Sequence, residues 1–304
     1  MRLSVILNAS RDDAPDVAAR VRDICGNRAV ELHVDICRGA DLGRAARAAL
    51  ERGSTHVAAG GGDGTISSVA SVLAGTNAVL GVLPLGTLNH FARDLHVPLD
   101  VTEAVNAMID GTETRVDVGE VNGRTFINNS SVGLYPRLVW EREARQRRGQ
   151  RKWRAMVAAS WTVWRRYRRV KVAIQCEDGN AATVRTPFVF VGNNRYQLGG
   201  LDFGSRAALD QGLLHVCTAP ELSASGVMGV LGATLLGRLV SFEQFEALET
   251  TAVTIDAWRP RLGIAIDGEI VTLRTPLRFR TRPGALRVAV RRQQEQSCFR
   301  LRHV

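Results

Sequence analysis

Cysteine is scarce in this 304-residue sequence, and what there is does not pair by spacing: Cys25, Cys37, Cys176, Cys217 and Cys298 are odd in number and far apart. With no Cys-x-x-Cys and no nearby His, zinc-finger and disulfide-framework readings fall away, and reduced thiols in a cytoplasmic protein are expected. Long apolar runs are missing too. The longest uncharged stretch, Gly64 to Ala92, is broken by Asn77, Pro84 and Asn89, so it is no continuous span. Leu222 to Gly237 is shorter than the roughly 20 residues a bilayer needs, and the apolar stretch Leu3 to Leu7 is too brief for a secretion signal. Repeats, low-complexity tracts and recognised nucleic-acid modules are also lacking.

Charge is plentiful but uneven. The net charge is +10, yet the stretch from Arg137 to Lys171 holds 13 of the 40 Lys and Arg and two of the 30 Asp and Glu. The remainder of the chain is therefore close to neutral, at −1. A chain this long, with 45% hydrophobic residues, has enough material for two cores packed across a cleft.

Up to about residue 115, strand-like and helix-like patterns alternate. Leu3 to Asn8, Val30 to Ile36, His56 to Ala59 and Val79 to Leu83 read as strands. Between and after them, Val17, Val21 and Cys25, then Leu42 and Ala49, then Ile66, Val69 and Leu73, then Val101, Val105 and Met108 recur at helical spacing. That is the pattern of an α/β layer with a mostly parallel sheet and helices on both faces. From 116 to 277 the pattern turns to short β-rich stretches, including Thr125 to Asn129, Val170 to Cys176, Pro187 to Gly192 and Leu213 to Thr218. These predict an antiparallel second domain, interrupted by a basic helix over 150–169 and an apolar helix from Ser223 to Leu239.

Chemistry concentrates where strands end in glycine. After His56 to Ala59 come Gly60, Gly61, Gly62, Asp63, Gly64 and Thr65. A strand, a glycine turn and a helix start bring backbone N–H groups and a helix N-terminus to phosphate oxygens. Asp63 would repel a bare anion and makes better sense as a ligand to the Mg²⁺ that accompanies a nucleotide. Read as structure alone, the same residues are a turn capped by Asp63 and Thr65. A second loop, Pro84 to Arg93, follows the next strand and offers Gly86, Thr87 and Asn89. Two such loops at neighbouring strand ends make a crevice at the sheet edge. Taken singly, Asn89 is as well read as a helix N-cap. Downstream, Asp267-Gly268-Glu269 closes an apolar strand with two carboxylates. One suits proton acceptance from a hydroxyl and the other a metal; as local structure it is an ordinary hairpin turn.

Together with Phe126 to Gly133, Gly192-Asn193-Asn194 and Gly212-Leu213-Leu214, these motifs resemble the lipid kinases of the diacylglycerol kinase and sphingosine kinase catalytic-domain family. The resemblance spans nearly the whole chain. It implies a nucleotide-binding α/β domain (1–115), a β-sandwich lipid-substrate domain (116–277) and last strands (278–304) returning to the first domain. It also implies ATP as phosphoryl donor, Mg²⁺, and a lipid acceptor such as diacylglycerol. By the same resemblance Gly60 to Thr65 and Thr87 contact phosphates, Asn8 lies near the nucleotide, and Glu269, or secondarily Asp267, takes the proton. Three positions depart from the family: Asn8-Ala9-Ser10-Arg11 stands for Asn-Pro-x-Ser-Gly, His90 for the Asp of Asn-Asp-Phe, and Gln211 for an acid before Gly-Leu. The last two remove acids of a structural magnesium site.

In the basic segment, Trp153, Trp161 and Trp164 fall on one helical face, with Arg151, Arg154 and Arg165 toward the other. That suits peripheral attachment to an anionic membrane at its cytoplasmic face, although a helix packed by its aromatic side would show the same pattern. A soluble, NAD kinase-like phosphotransferase and a catalytically weak lipid-binding regulator are the rival readings. No nucleic-acid partner is expected, and self-association is compatible with the sequence.

Overall fold

The computed structural model describes residues 1–26, 28–133, 170–177, 179, 181–197, 205–218 and 246–292. The basic helix expected over 150–169, with the site candidates Trp153, Trp161, Trp164, Arg151, Arg154 and Arg165, the apolar helix from Ser223 to Leu239, and residues 293–304 lie outside them.

Short apolar runs bounded by polar turns make the first four strands: β1 (Arg2–Asn8), β2 (Glu31–Cys37), β3 (His56–Gly61) and β4 (Val79–Pro84). They are parallel, in the order β2-β1-β3-β4. β1, β3 and β4 are buried nearly throughout, as expected of strands covered on both faces. Helices α1 (Ala14–Gly26), α2 (Leu42–Glu51), α3 (Asp63–Leu73) and α5 (Val101–Asp110) supply the cover, through Val17 and Val21, Ala46 and Ala49, Ile66 and Val69, and Val105 and Met108. The short α4 (His90–Asp94) occupies the end of the Pro84–Arg93 stretch, so the second loop proper is Pro84 to Asn89.

The remaining described strands pair antiparallel with one another. β5 (Thr112–Val121), β6 (Arg124–Phe126), β8 (Val170–Cys176), β9 (Ala181–Thr186), β13 (Ala252–Ala257) and β16 (Leu277–Val290) extend the first sheet. β7 (Asn129–Gly133), β10 (Phe188–Asn193), β11 (Leu214–Thr218), β12 (Glu246–Thr250), β14 (Arg261–Ile266) and β15 (Glu269–Arg274) form a second sheet. The two close a sandwich over Phe126, Phe279, Ile255, Val191 and Ile264.

β16 ties the halves together. Arg287 and Val288 pair in parallel with Val79 and Leu80, while Leu277 to Arg280 pair with β13. Its other edge carries β5 from end to end, so the division expected at 115/116 falls inside one strand. The single stretch expected over Thr125 to Asn129 is instead two strands, because the N–H groups of Ile127, Asn128 and Asn129 bond to the Asp267 side chain.

Candidate active site

The parallel register brings the C-terminal ends of β1, β3 and β4 to one edge, with Leu7 beside Gly60 and Gly61 beside Pro84. Both glycine loops therefore open at the same place. A β-carbon on Gly86 would lie 2.6 Å from Gly62 Cα and 2.7 Å from Asn89 Oδ1, so the two loops touch through backbone alone. No side chain caps α3, which leaves its first amides open for an anion.

Asn8 donates Nδ2–H to Thr65 Oγ1 at 3.0 Å, joining the end of β1 to the first loop. Asp63 accepts from the N–H of Phe91 at 3.3 Å, joining the first loop to the second. Arg11, where the family has serine, pairs with Asp13 at 2.6 Å and also donates to the Leu85 carbonyl, so the departure adds a cation beside the loops. Asn89 behaves differently from expectation. It is buried, sits at φ 52° and does not cap α4 with its side chain. Its amide donates to the carbonyls of Pro84 and Gly86 and its Oδ1 accepts from Gly86 N–H. The carboxamide thus shapes the loop from inside instead of facing a nucleotide, while Thr87 stays exposed at the crest.

Opposite the loops stands the β14–β15 hairpin. Ile266 pairs with Glu269, and the two linking residues take φ 45° at Asp267 and 87° at Gly268, the turn that Asp-Gly favours. Asp267 turns its carboxylate inward. It accepts from Ile127 N–H at 2.8 Å, Asn128 N–H at 2.8 Å, Asn129 N–H at 3.0 Å and the Ser67 hydroxyl at 2.5 Å. Burial pushes this carboxyl above the usual range, and the four donors oppose that shift. With both oxygens occupied, Asp267 is a fastening and Glu269 is the open carboxylate. Glu269 is exposed, and a β-carbon on Gly64 would lie 4.0 Å from its Oε1, at the start of α3. Between them runs a groove of about 280 Å³ lined by Gly64, Ser67, Ser71, Arg124, Asp267 and Glu269.

The donor set suits magnesium held mainly by phosphates and water, with Asp63 as its single carboxylate. It does not suit a structural magnesium site: His90 is exposed, and the Gln211 carboxamide accepts from Arg195 N–H. Among the described residues no three His, Cys, Asp or Glu cluster together.

Several site residues were invisible in the sequence. Ser67 lies with Ser68 and Ser71 on the face of α3 away from its buried apolar residues, and nothing in the sequence singles it out. Asp94 and Arg206 form an ion pair at 2.8 Å with side chains 6% and 0% exposed, and no spacing rule connects residues 112 apart.

Comparison with known proteins agrees with the two-domain fold. The diacylglycerol kinase catalytic domain matches residues 2–121, and the YegS C-terminal NAD kinase beta sandwich-like domain matches residues 139–290. A protein of Pseudomonas syringae pv. tomato named "Probable lipid kinase YegS-like" is 33% identical over 292 residues, covering 94% of this chain and 92% of that protein. A diacylglycerol kinase of Staphylococcus haemolyticus is 38% identical over 110 residues, 36% of this chain and 33% of its own. A solved diacylglycerol kinase structure from Bacillus anthracis str. Sterne shares the fold with TM-score 0.68 at 17% identity, over 95% of this chain and 96% of that one. With both domains matched in order and a relative alike over nearly its full length, this chain belongs to the YegS-like lipid kinases of the diacylglycerol kinase family.

Proposed function

We propose that this protein transfers the γ-phosphoryl group of ATP to the hydroxyl of a diacylglycerol-like lipid bound in the groove between α3 and the β14–β15 hairpin. The observation that carries the reading is Glu269, an open carboxylate held beside Gly64 at the N-terminus of α3 by a neighbour that is itself fully bonded.

The loops Gly60 to Thr65 and Pro84 to Asn89 receive the phosphates through backbone N–H groups, at a helix end whose dipole favours negative charge. Glu269 accepts the proton of the acceptor hydroxyl as its oxygen bonds to the γ-phosphorus; the β–γ bridging bond breaks and ADP leaves. Magnesium, when bound with the nucleotide, neutralises phosphate charge in the transition state, and Asp63 would hold it. Positioning supplies most of the acceleration in such a transfer.

A membrane surface as the place of action has support in the described residues. Trp258 is 88% exposed and follows Ala257, whose β8 partner is Val172. It therefore stands beside the exposed pair Lys171 and Arg185, with Arg259 and Arg261 next along the turn. An exposed tryptophan among arginines suits an anionic interface. No described helix is long and apolar enough to cross a membrane.

The test is transfer of labelled γ-phosphate from ATP and Mg²⁺ into a total lipid extract, with Glu269→Gln as control. Label in lipid with the wild type alone supports the reading. Label in NAD instead would move the assignment to the soluble phosphotransferase that the sandwich's likeness to NAD kinase keeps in view.

A further inference from the structure

The link between β6 and β7 is gripped from both sides by charged side chains, the half-buried Asp267 and the buried Arg206. Asp267 collects its N–H groups, as described above. On its other side Arg206 collects its oxygens: one guanidinium nitrogen donates to Ile127 O at 2.7 Å and Asn193 O at 3.1 Å, and another to Asn128 Oδ1 at 2.7 Å. The remaining nitrogen, Nε, donates to Asp94 Oδ2 at 2.8 Å, and the guanidinium carbon lies 5.3 Å from the Tyr196 ring centre. Asp94 ends α4, the helix that begins where the second glycine loop stops. A continuous path of alternating charge thus runs from that loop through Asp94, Arg206 and residues 127–129 to Asp267, and from Asp267 to Ser67 in α3.

We infer that Arg206 and Asp94 are positioning residues for phosphoryl transfer. They fix the 127–129 link, the link fixes Asp267, and Asp267 sets where Glu269 stands relative to the phosphate loop. Stability alone is a weak reason for such a pair, because a buried ion pair gains little over well-packed apolar residues of the same volume. What the planar guanidinium provides is direction: four N–H bonds to groups on three separate elements define one arrangement. Small displacements of a reacting group reduce turnover steeply, about 100-fold for 1 Å. The inference rests on the kinase reading and on Glu269 as proton acceptor.

The experiment is a double-mutant cycle on kcat and on KM for ATP. Arg206→Lys keeps the charge against Asp94 but cannot reach all four acceptors. It should lower kcat by about 10- to 100-fold and leave KM for ATP within about twofold, since the loops are shaped by their own contacts. In a Glu269→Gln background the same change should cost almost nothing further, because no proton acceptor remains to be misplaced. Equal losses in both backgrounds, or an unchanged kcat, overturn the inference. Asp94→Asn is carried through the same cycle in case Arg206→Lys does not fold. If the wild type transfers phosphate to no acceptor, the functional reading has failed, and the clamp is read by amide hydrogen exchange. Ile127, Asn128 and Asn129 should then lose protection in Arg206→Lys while β1 and β3 keep theirs; unchanged protection at 127–129 overturns it.

Discussion

The carboxylate of Asp267 accepts the hydroxyl of Ser67 at 2.5 Å across 200 positions of sequence, and this bond ties the β14–β15 hairpin to the helix that opens at the phosphate loop. Replacing Asp267 by Asn puts an NH₂ group where an oxygen now meets backbone N–H donors, leaving at least one buried donor unsatisfied. We expect Asp267→Asn to destabilise the fold by about 1–3 kcal/mol and to lower kcat. Urea unfolding and phosphoryl-transfer rates measured on the same preparation check this.

Gly86→Ala should act on nucleotide binding. Its new methyl would lie 2.6 Å from Gly62 Cα, where backbone must move to make room. The expected result is a rise of at least about tenfold in the Kd for ATP, equivalent to about 1.4 kcal/mol, with the fold retained. Equilibrium dialysis with labelled ATP measures it, and circular dichroism shows whether the fold is intact.

Acid should weaken the protein partly through two histidines. Burial lowers His215 most, with Glu249 opposing and Arg195 adding to the shift, while its Nδ1 accepts Tyr196 N–H. His56 is also lowered by burial, with Glu113 opposing and the N-terminus and Arg287 adding. Both titrate in the folded state below the ordinary value of 6.5. The unfolded chain therefore takes up protons first, and stability present above 6.5 is lost as pH falls from there toward the folded values. His56→Gln should show a smaller drop in urea midpoint between about pH 7 and pH 5 than the wild type; an equal drop would dismiss His56 as a contributor.

Trp258→Ala should reduce co-sedimentation with vesicles containing anionic lipid, and added salt should reduce wild-type binding further, because exposed charges are screened within about 10 Å at 0.1 M. Turnover on detergent-dispersed substrate should change little. Vesicle binding equal to the wild type would remove Trp258 from the surface proposed for docking.

The two glycine loops and the Asp267-Gly268-Glu269 turn were legible in the sequence because each is a local arrangement of strand, turn chemistry and helix start. Asn89 was legible as important but not for its use: whether a carboxamide faces outward or bonds within its own loop depends on a φ of 52° that residue type alone does not fix. Between Asp267 and Glu269 only the family resemblance favoured Glu269, since the residues themselves do not show that the 127–129 link occupies one carboxylate and leaves the other open.

Periodicity and turn residues are short-range properties, so the sequence by itself determined the parallel α/β half, the β-rich half, and the loops and hairpin that carry the chemistry. Long-range pairing is set by which surfaces fit when the chain closes. Only the tertiary structure decided that the returning strand β16 pairs with β4, β5 and β13 together, that Arg206 meets Asp94 in the interior, and that Glu269 stands beside Gly64 as the free carboxylate of the site.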